Sequence, residues 1–569
     1  MKRLFIAFAM AALLPSMALL SQVPPQTPVG PGNKSAVPYY RFGTTLEEQE
    51  VQLATNPLML QFAEARKALA SDRYRPVFHY VNPEGSLNDP NGLCFWNGNW
   101  HLFYQAYPKE DRRQHWGHAV SSDLVHWRDL PYAIYPGPEL KVYSGGTLVD
   151  DDKVIAMYHG TMLGNMVATS SDPLLLNWDK VGDGAVVPLV NPNGFTLPYS
   201  VFDPCIWKKD GVYYSITGGR TLTGPGGKPV RGNSLFRSRD LEHWEYVHEF
   251  VEDDRFTFIG DDGACPYFWP IGDKYMLNFF SHMSGGQYLL GDYDKVNDKF
   301  HVTSAGRYNH GYGSPGGVHA PSVTPDGKGN LIIIFNMQSG YMTSGWNQIM
   351  SLPRKLTLLP DEVIGQETAG DYSSLHYNAK SVGRTVLPAN KEVVLKSVSG
   401  DAMEIEAEID LKEAQMVELN VLRSPKKEEY TRIVIYKSKG FPGGLNYIAG
   451  DDTAYMPDDL LAGLKGVRIN RSFARESLIS LETEASSTLP GVSIRPPETA
   501  SFQLGNTETV KLHIFIDKSI VEVFVNGVEC VAARVYPGRK DSVGVSLKST
   551  GKDAELVGLQ SWQMKSIYE

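Results

Sequence analysis

Three aspartate-bearing turns each lead into a strand–turn–strand pattern. Asn88-Asp89-Pro90-Asn91-Gly92 precedes two aromatic-rich runs split by Asn97-Gly98. Val201-Phe202-Asp203-Pro204-Cys205-Ile206-Trp207 precedes a second such pair, and Gly260-Asp261-Asp262-Gly263-Ala264-Cys265-Pro266 a third. Carboxylates aimed by a rigid sheet suit glycoside cleavage. That chemistry needs one carboxylate as nucleophile or base and an acid for the leaving oxygen. A lone Asp before a strand is explained by turn chemistry, since its side chain bonds nearby backbone. Three in the same context are what a multi-carboxylate site requires.

The elements around them define an all-β chain. Asn97-Gly98 is a favoured two-residue hairpin turn, because both residues tolerate positive φ. Ser122-Asp123-Leu124-Val125-His126-Trp127 is echoed by Ser171-Asp172-Pro173 with Trp178, and by Ser238-Arg239-Asp240-Leu241-Glu242-His243-Trp244. Each echo falls late in a unit of propeller-blade length, and less regular units follow near 292–300 and 330–350. The expectation is a five-bladed β-propeller over 75–355, whose strand ends bring distant carboxylates to one axis. Residues 356–389 read as a connector without period. From 390 to 569 the alternation is clean, as in Glu404-Ile405-Glu406-Ala407-Glu408-Ile409, and predicts a β-sandwich. Residues 41–74 carry apolar residues among Glu, Gln and Arg and predict a short helical extension, with Pro57 opening a second helix.

The 569 residues carry a formal charge of −10 and are 42% hydrophobic. An acidic chain without a basic run argues against nucleic acid and anionic membrane as partners. Lys2 and Arg3 followed by apolar residues to Leu20 read as a signal peptide over 1–21, ahead of a flexible Pro- and Gly-rich leader over 22–40. The expected location is therefore secreted or periplasmic, with no membrane insertion after cleavage. Cys94, Cys205, Cys265 and Cys530 are far apart and read as buried thiols. His residues are scattered without metal-ligand spacing, so no catalytic metal is expected, and the Gly-rich stretches at 223–227 and 311–317 have neither a Walker lysine nor a Rossmann context that would point to a nucleotide cofactor.

At this point the sequence resembles glycoside hydrolase family 32, the invertase, levanase and inulinase group. The resemblance runs from His79 through Asn88-Asp89-Pro90-Asn91-Gly92, His101-Leu102-Phe103-Tyr104-Gln105 and Trp116-Gly117-His118-Ala119. It continues at Tyr143-Ser144-Gly145-Gly146, Ala320-Pro321, Leu352-Pro353-Arg354, Asp517-Lys518-Ser519 and Glu522-Val523-Phe524. It implies a five-bladed propeller plus sandwich acting on β-fructofuranosides of oligo- or polysaccharides. Asp89 would be the nucleophile and Asp203 the transition-state stabiliser. Asn88, Gln105, Trp116 and Ser144 would line the sugar pocket. His319, beside Ala320-Pro321, is a further candidate for the channel.

Two departures fall at the centre of the chemistry. Phe202-Asp203-Pro204 stands where the family has Arg-Asp-Pro, placing an apolar wall where a guanidinium would be. Ala264-Cys265-Pro266 stands where it has Glu-Cys-Pro, and Ala cannot donate a proton. Loss of a general acid typically costs about 10²- to 10⁴-fold. Asp262 is the preferred replacement, because its two-residue offset from Ala264 keeps it on one strand face; Asp261 is the alternative. A substrate with an altered leaving group, or sugar binding without cleavage, would also accommodate Ala264.

Overall fold

The computed structural model describes residues 34–191, 195–219, 222–311, 314–439, 477–504 and 508–568. The expected signal peptide and most of the leader lie outside these residues. Five sheets follow one another along the chain, each of four or five strands, antiparallel except where Val251–Glu252 pairs in parallel with Lys299–Arg307 in the fourth. Their first strands are Ser86–Trp96, Val142–Asp150, Pro204–Lys209, Ala264–Ile271 and Val318–Pro325. Each packs against the next, and the fifth against the first, so the ring closes. These are blades 1 to 5 of a propeller.

Local chemistry accounts for the blades. Asn97 and Gly98 have φ of 47° and 81° and close the first hairpin with Trp96 opposite Asn99. The recurring Ser-Asp-Trp stretch is an outer-strand turn made three times. In blade 1, Asp123 accepts from the backbone N–H of Val125 and His126, Leu124 has φ of 67°, and Trp127 Nε1 donates to Leu124 O. Asp172 with Leu175 and Trp178 repeats this in blade 2, and Asp240 with Leu241 and Trp244 in blade 3. The Asp fixes the turn and the indole closes it, so three residue types recur at the same place.

The sandwich has one sheet of seven strands and one of six among the described residues. Ile405, Leu419, Ile433, Ile514 and Val523 belong to the core between them. Its seven-stranded sheet also packs on the propeller, where Phe515 and Phe524 join Phe78, Tyr80 and Leu352. Two helices, Leu46–Thr55 and Pro57–Leu69, lie outside blade 1. Thr45 and Glu48 form a capping box on the first, and Asn56 caps the second ahead of Pro57. Phe62 meets the Tyr132 ring edge-on at 5.6 Å.

The stretch 356–389 departs from its expected role as a connector. Arg354–Leu359 and Val363–Thr368 are the last strands of blade 5, and His376–Val382 and Thr385–Leu387 already pair in the sandwich. The propeller thus extends beyond 355, and the sandwich begins before 390. These outer strands bury few side chains, especially His376–Val382, so hydrophobic alternation does not mark them. Among the described residues, no helix is long and apolar enough to cross a membrane.

Candidate active site

The start of each blade's first strand lies beside the end of its second. Leu87 pairs with Ala106, Gly145 with Tyr158, Pro204 with Thr217, Ala264 with Phe280 and Val318 with Met337. Polar residues from both strand ends therefore gather at one end of the ring. Asp89 enters from blade 1 and is buried. Its Oδ2 accepts from Ser144 Oγ at 2.6 Å and from Gln105 Nε2 at 3.1 Å. Its Oδ1 lies 3.2 Å from His319 Nδ1, but without hydrogen-bond alignment. That imidazole nitrogen is also 3.3 Å from Asn336 Oδ1, with which it does align. Asn88 Nδ2 donates to Gln105 Oε1 at 3.2 Å, and Asn336 Nδ2 to Asn88 Oδ1 at 3.1 Å.

Asp203 is also buried, and its Oδ2 accepts the Cys265 backbone N–H at 3.0 Å. Cys265 Sγ lies 3.6 Å from Asp203 Oδ2 and 3.8 Å from Asp89 Oδ2. One thiol thus spans the two carboxyl groups. Cys265 has φ of 49°, an uncommon conformation for a residue with a Cβ, and this bend occurs where its N–H and Sγ meet Asp203.

Environment separates the two acids. Burial disfavours ionisation of Asp89, but His319 and Ser144 outweigh it and hold the carboxyl below its ordinary range. For Asp203, burial and the neighbouring Asp89 charge push the pKa up to about 7. Phe202 puts an apolar ring against His159, at 5.8 Å, and brings no charge to offset that push. An anion beside a protonatable acid is an arrangement suited to glycosyl transfer chemistry.

The third acidic turn divides its two members. Asp261 is fully buried; it accepts from the Phe258 N–H at 2.8 Å and bonds Ser284 Oγ. Asp262 Oδ2 accepts from His282 Nδ1 at 2.7 Å, and Oδ1 accepts the His282 backbone N–H at 3.3 Å. The bond to Asp262 raises the His282 pKa, burial opposes, and the Asp89 and Asp203 charges add to the rise. Sequence reasoning missed His282, Asn336 and the bridging position of Cys265. The signal was the second-strand ends: Gln105 and Asn336 occupy equivalent places in blades 1 and 5, and His282 directly follows the second strand of blade 4.

Trp116 requires correction as a sugar-contacting residue. It is fully buried, stacks on Phe103 at 5.6 Å and donates Nε1 to Tyr143 O at 2.9 Å. It is the cross-strand partner of Gln105 and supports that strand from within the core. All four cysteines are free and buried. Among the described residues, Glu404, Glu406 and His513 are close enough to share a metal ion, but they lie on the sandwich. A cavity of about 1230 Å³ also lies on that side, lined by Gln366, Glu406, His513 and Phe524. It touches none of Asp89, Asp203, Asp261 and Asp262, so the charged cluster rather than cavity volume locates the chemistry. A smaller cavity, about 470 Å³, adjoins the cluster at Asn88 and includes Tyr107, Arg112 and Gln348.

Comparison with known proteins agrees with this architecture. The profile of the glycosyl hydrolases family 32 N-terminal domain matches residues 79–368, and that of the family's C-terminal domain matches 372–563. A sucrose-6-phosphate hydrolase of Zymomonas mobilis is 26% identical over 520 residues, covering 84% of this chain and 90% of that protein. A levanase of Bacillus subtilis is 26% identical over 538 residues, covering 87% and 71%. The crystal structure of fructan 1-exohydrolase IIa from Cichorium intybus superposes with a TM-score of 0.71 at 19% identity, over 87% of this chain and 98% of that one. The chain belongs to glycosyl hydrolase family 32.

Proposed function

We propose that this family 32 chain hydrolyses β-fructofuranosides, or closely related furanosides, by a retaining route through a covalent sugar–Asp89 intermediate. The observation that carries the reading is the state of Asp89. It is held anionic by Ser144 and His319, with a lone pair on Oδ1 not committed to an aligned hydrogen bond. A nucleophilic carboxylate needs that combination of charge, fixed position and a free lone pair. Asp203 serves as an acceptor for sugar hydroxyls, and its raised pKa lets it share a proton with them. Asn88, Gln105, Ser144, Phe202 and His319 line the furanose pocket. The proton for the leaving oxygen comes from the Asp262–His282 pair.

Relatives named for sucrose-6-phosphate and levan hydrolysis support a fructosyl substrate class. The test is sugar release from sucrose, inulin and levan by wild type and by Asp89→Asn. Release by wild type that Asp89→Asn abolishes supports the reading, and equal release by both removes it. Ala264 favours a second reading, sugar binding without cleavage. That reading requires saturable binding by wild type with no product from any of the three.

The N-terminal apolar run supports export of the mature chain to the periplasm or medium. N-terminal sequencing of the exported protein should show a start near Gln22, whereas an uncleaved Met1 would refute removal of a signal.

A further inference from the structure

We propose that His282 is the proton donor to the leaving oxygen and that Asp262 is its positioning residue. The inference rests on the reading of Asp89 as nucleophile and resolves which member of the Asp262–His282 pair touches substrate. Asp262 Oδ2 already accepts from His282 Nδ1 at 2.7 Å, and its Oδ1 accepts the His282 backbone N–H. Its side chain is also mostly covered, with 12% exposed against 54% for His282. The carboxylate is therefore turned to the imidazole, and the imidazole to the opening. His282 Nε2 makes no hydrogen bond among the described residues, so the nitrogen opposite Asp262 is available to a ligand. A hydrogen bond at one imidazole nitrogen fixes the ring and directs the function of the other.

Placement supports the assignment. Ala264 and Phe280 are cross-strand partners, and His282 lies two residues beyond Phe280. The imidazole thus enters from the strand end beside the position where Ala264 carries no acid. The rings of Phe280 and His319 are 4.2 Å apart, and those of His282 and His319 are 6.2 Å apart. His319 Nδ1 is 3.2 Å from Asp89. His282 therefore stands at the outer side of the pocket that Asp89 closes. In a pocket that holds the furanose against Asp89, the departing group leaves on that side. The groups facing His282 are Asp262 at Nδ1, Asp89 and Asp203 through space, and His319 edge-on. The three carboxyl groups favour the imidazolium, so it remains a donor further toward neutral pH than a free histidine.

The steps balance. An Asp89 oxygen bonds the anomeric carbon as the glycosidic C–O bond breaks. That bond's electron pair stays on the leaving oxygen, which takes the Nε2 proton. Water then attacks the same carbon and gives its proton to neutral Nε2, while Asp89 departs with the electron pair of its ester bond.

The experiment compares His282→Gln with wild type on the best cleaved of sucrose, inulin and levan, and on a nitrophenyl β-fructofuranoside. The nitrophenolate leaves without needing a proton. Expected is a loss of about 10²- to 10⁴-fold in kcat/KM on the natural sugar, with the aryl substrate losing less than about tenfold. The alkaline limb of the wild-type pH profile should vanish in His282→Gln and move to lower pH in Asp262→Asn. Equal losses on both substrates, or an alkaline limb unchanged by His282→Gln, overturn the assignment. A silent wild type, or an active Asp89→Asn, overturns the parent reading and this inference with it.

Discussion

Two of the buried charge clusters among the described residues contrast, one open at the propeller axis and one sealed between propeller and sandwich. In the sealed cluster Asp517 accepts the backbone N–H groups of Val77, Phe78 and His79, each at 2.8 Å, and His79 Nδ1 at 2.9 Å. Glu522 accepts from Leu352 N at 2.7 Å, Arg354 Nη2 at 2.9 Å and His79 Nε2 at 3.2 Å. The ionisable side chains His79, Asp517, Glu522 and Arg354 are fully buried. The open cluster also sets carboxyl groups beside imidazoles but leaves them underused. Among the described residues Asp89 Oδ1 lacks an aligned partner and His282 Nε2 makes no hydrogen bond, and Asp203 is pushed toward neutrality. A charge whose partners are all protein groups holds domains together; a charge with unused capacity is poised for a ligand.

The largest effect should come from Asp89. Asp89→Asn keeps the shape of the side chain and its bond to Ser144, but removes the anionic nucleophile. Activity on the best sugar should fall on the order of 10⁴-fold or more, while the urea midpoint stays near wild type. Steady-state rates and unfolding curves of the same preparation check both halves. A variant that loses its fold instead would place Asp89 with the sealed cluster.

Arg354→Met should do the reverse. It leaves Glu522 buried with one fewer cation, an imbalance that typically costs about 3–5 kcal/mol. The urea midpoint should drop sharply. The Asp89 site is built by other side chains, so kcat of the folded fraction should be nearly unchanged. A large kcat loss without destabilisation would erase the distinction between the clusters.

The third prediction uses pH. Burial opposes ionisation of Glu522, but Arg354 and His79 hold its pKa below 4.5 in the folded chain. Its contribution is present above pH 4.5 and is lost as pH falls through the lowered folded value. Burial also opposes protonation of His79, but Asp517 and Glu522 hold its pKa above 6.5. Its contribution is complete below pH 6.5 and is lost as pH rises through the raised folded value. Asp203 has the opposite sense to Glu522. Its pKa rises from 3.8 to about 7 on folding, so the folded chain holds the extra proton across that window. This group therefore makes stability fall as pH rises from about 4 to 7, by about 1.4 kcal/mol per unit at most. Asp203→Asn should flatten that slope in urea unfolding at pH 5 and 7, and an unchanged slope would show that Asp203 titrates normally.

What the sequence disclosed follows this division. The propeller was legible because its repeat is chemical: Asp123, Asp172 and Asp240 each fix the same turn, and a tryptophan closes it. Asp89 and Asp203 were legible because each acid stands at the start of a blade's first strand, the end that gathers at the axis. His282 was not, because its role depends on which strand ends lie side by side, and that pairing is long-range. Trp116 misled for a related reason. Its motif lies on the strand beside Gln105, yet the indole enters the core while the amide reaches the pocket. The sealed cluster was equally hidden. His79, Arg354, Asp517 and Glu522 lie in strings that resemble family 32, and only their enclosure distinguishes a lock from a site. The overrun at 356–389 arose where strands bury too little to alternate.

The smallest effect tests how finely the open cluster is tuned. Ser144 Oγ gives Asp89 its shortest hydrogen bond and also accepts from Gln105 at 2.8 Å. Ser144→Ala removes a donor to the anion and leaves burial, which opposes ionisation, less compensated. The Asp89 pKa should rise. Near neutral pH the carboxylate would stay ionised but less well oriented, so kcat/KM should fall only about tenfold. The acid limb of the kcat/KM profile should move upward, while the urea midpoint barely changes. An acid limb that does not move would mean that His319 alone sets the charge of Asp89, and that Ser144 belongs with the sugar contacts.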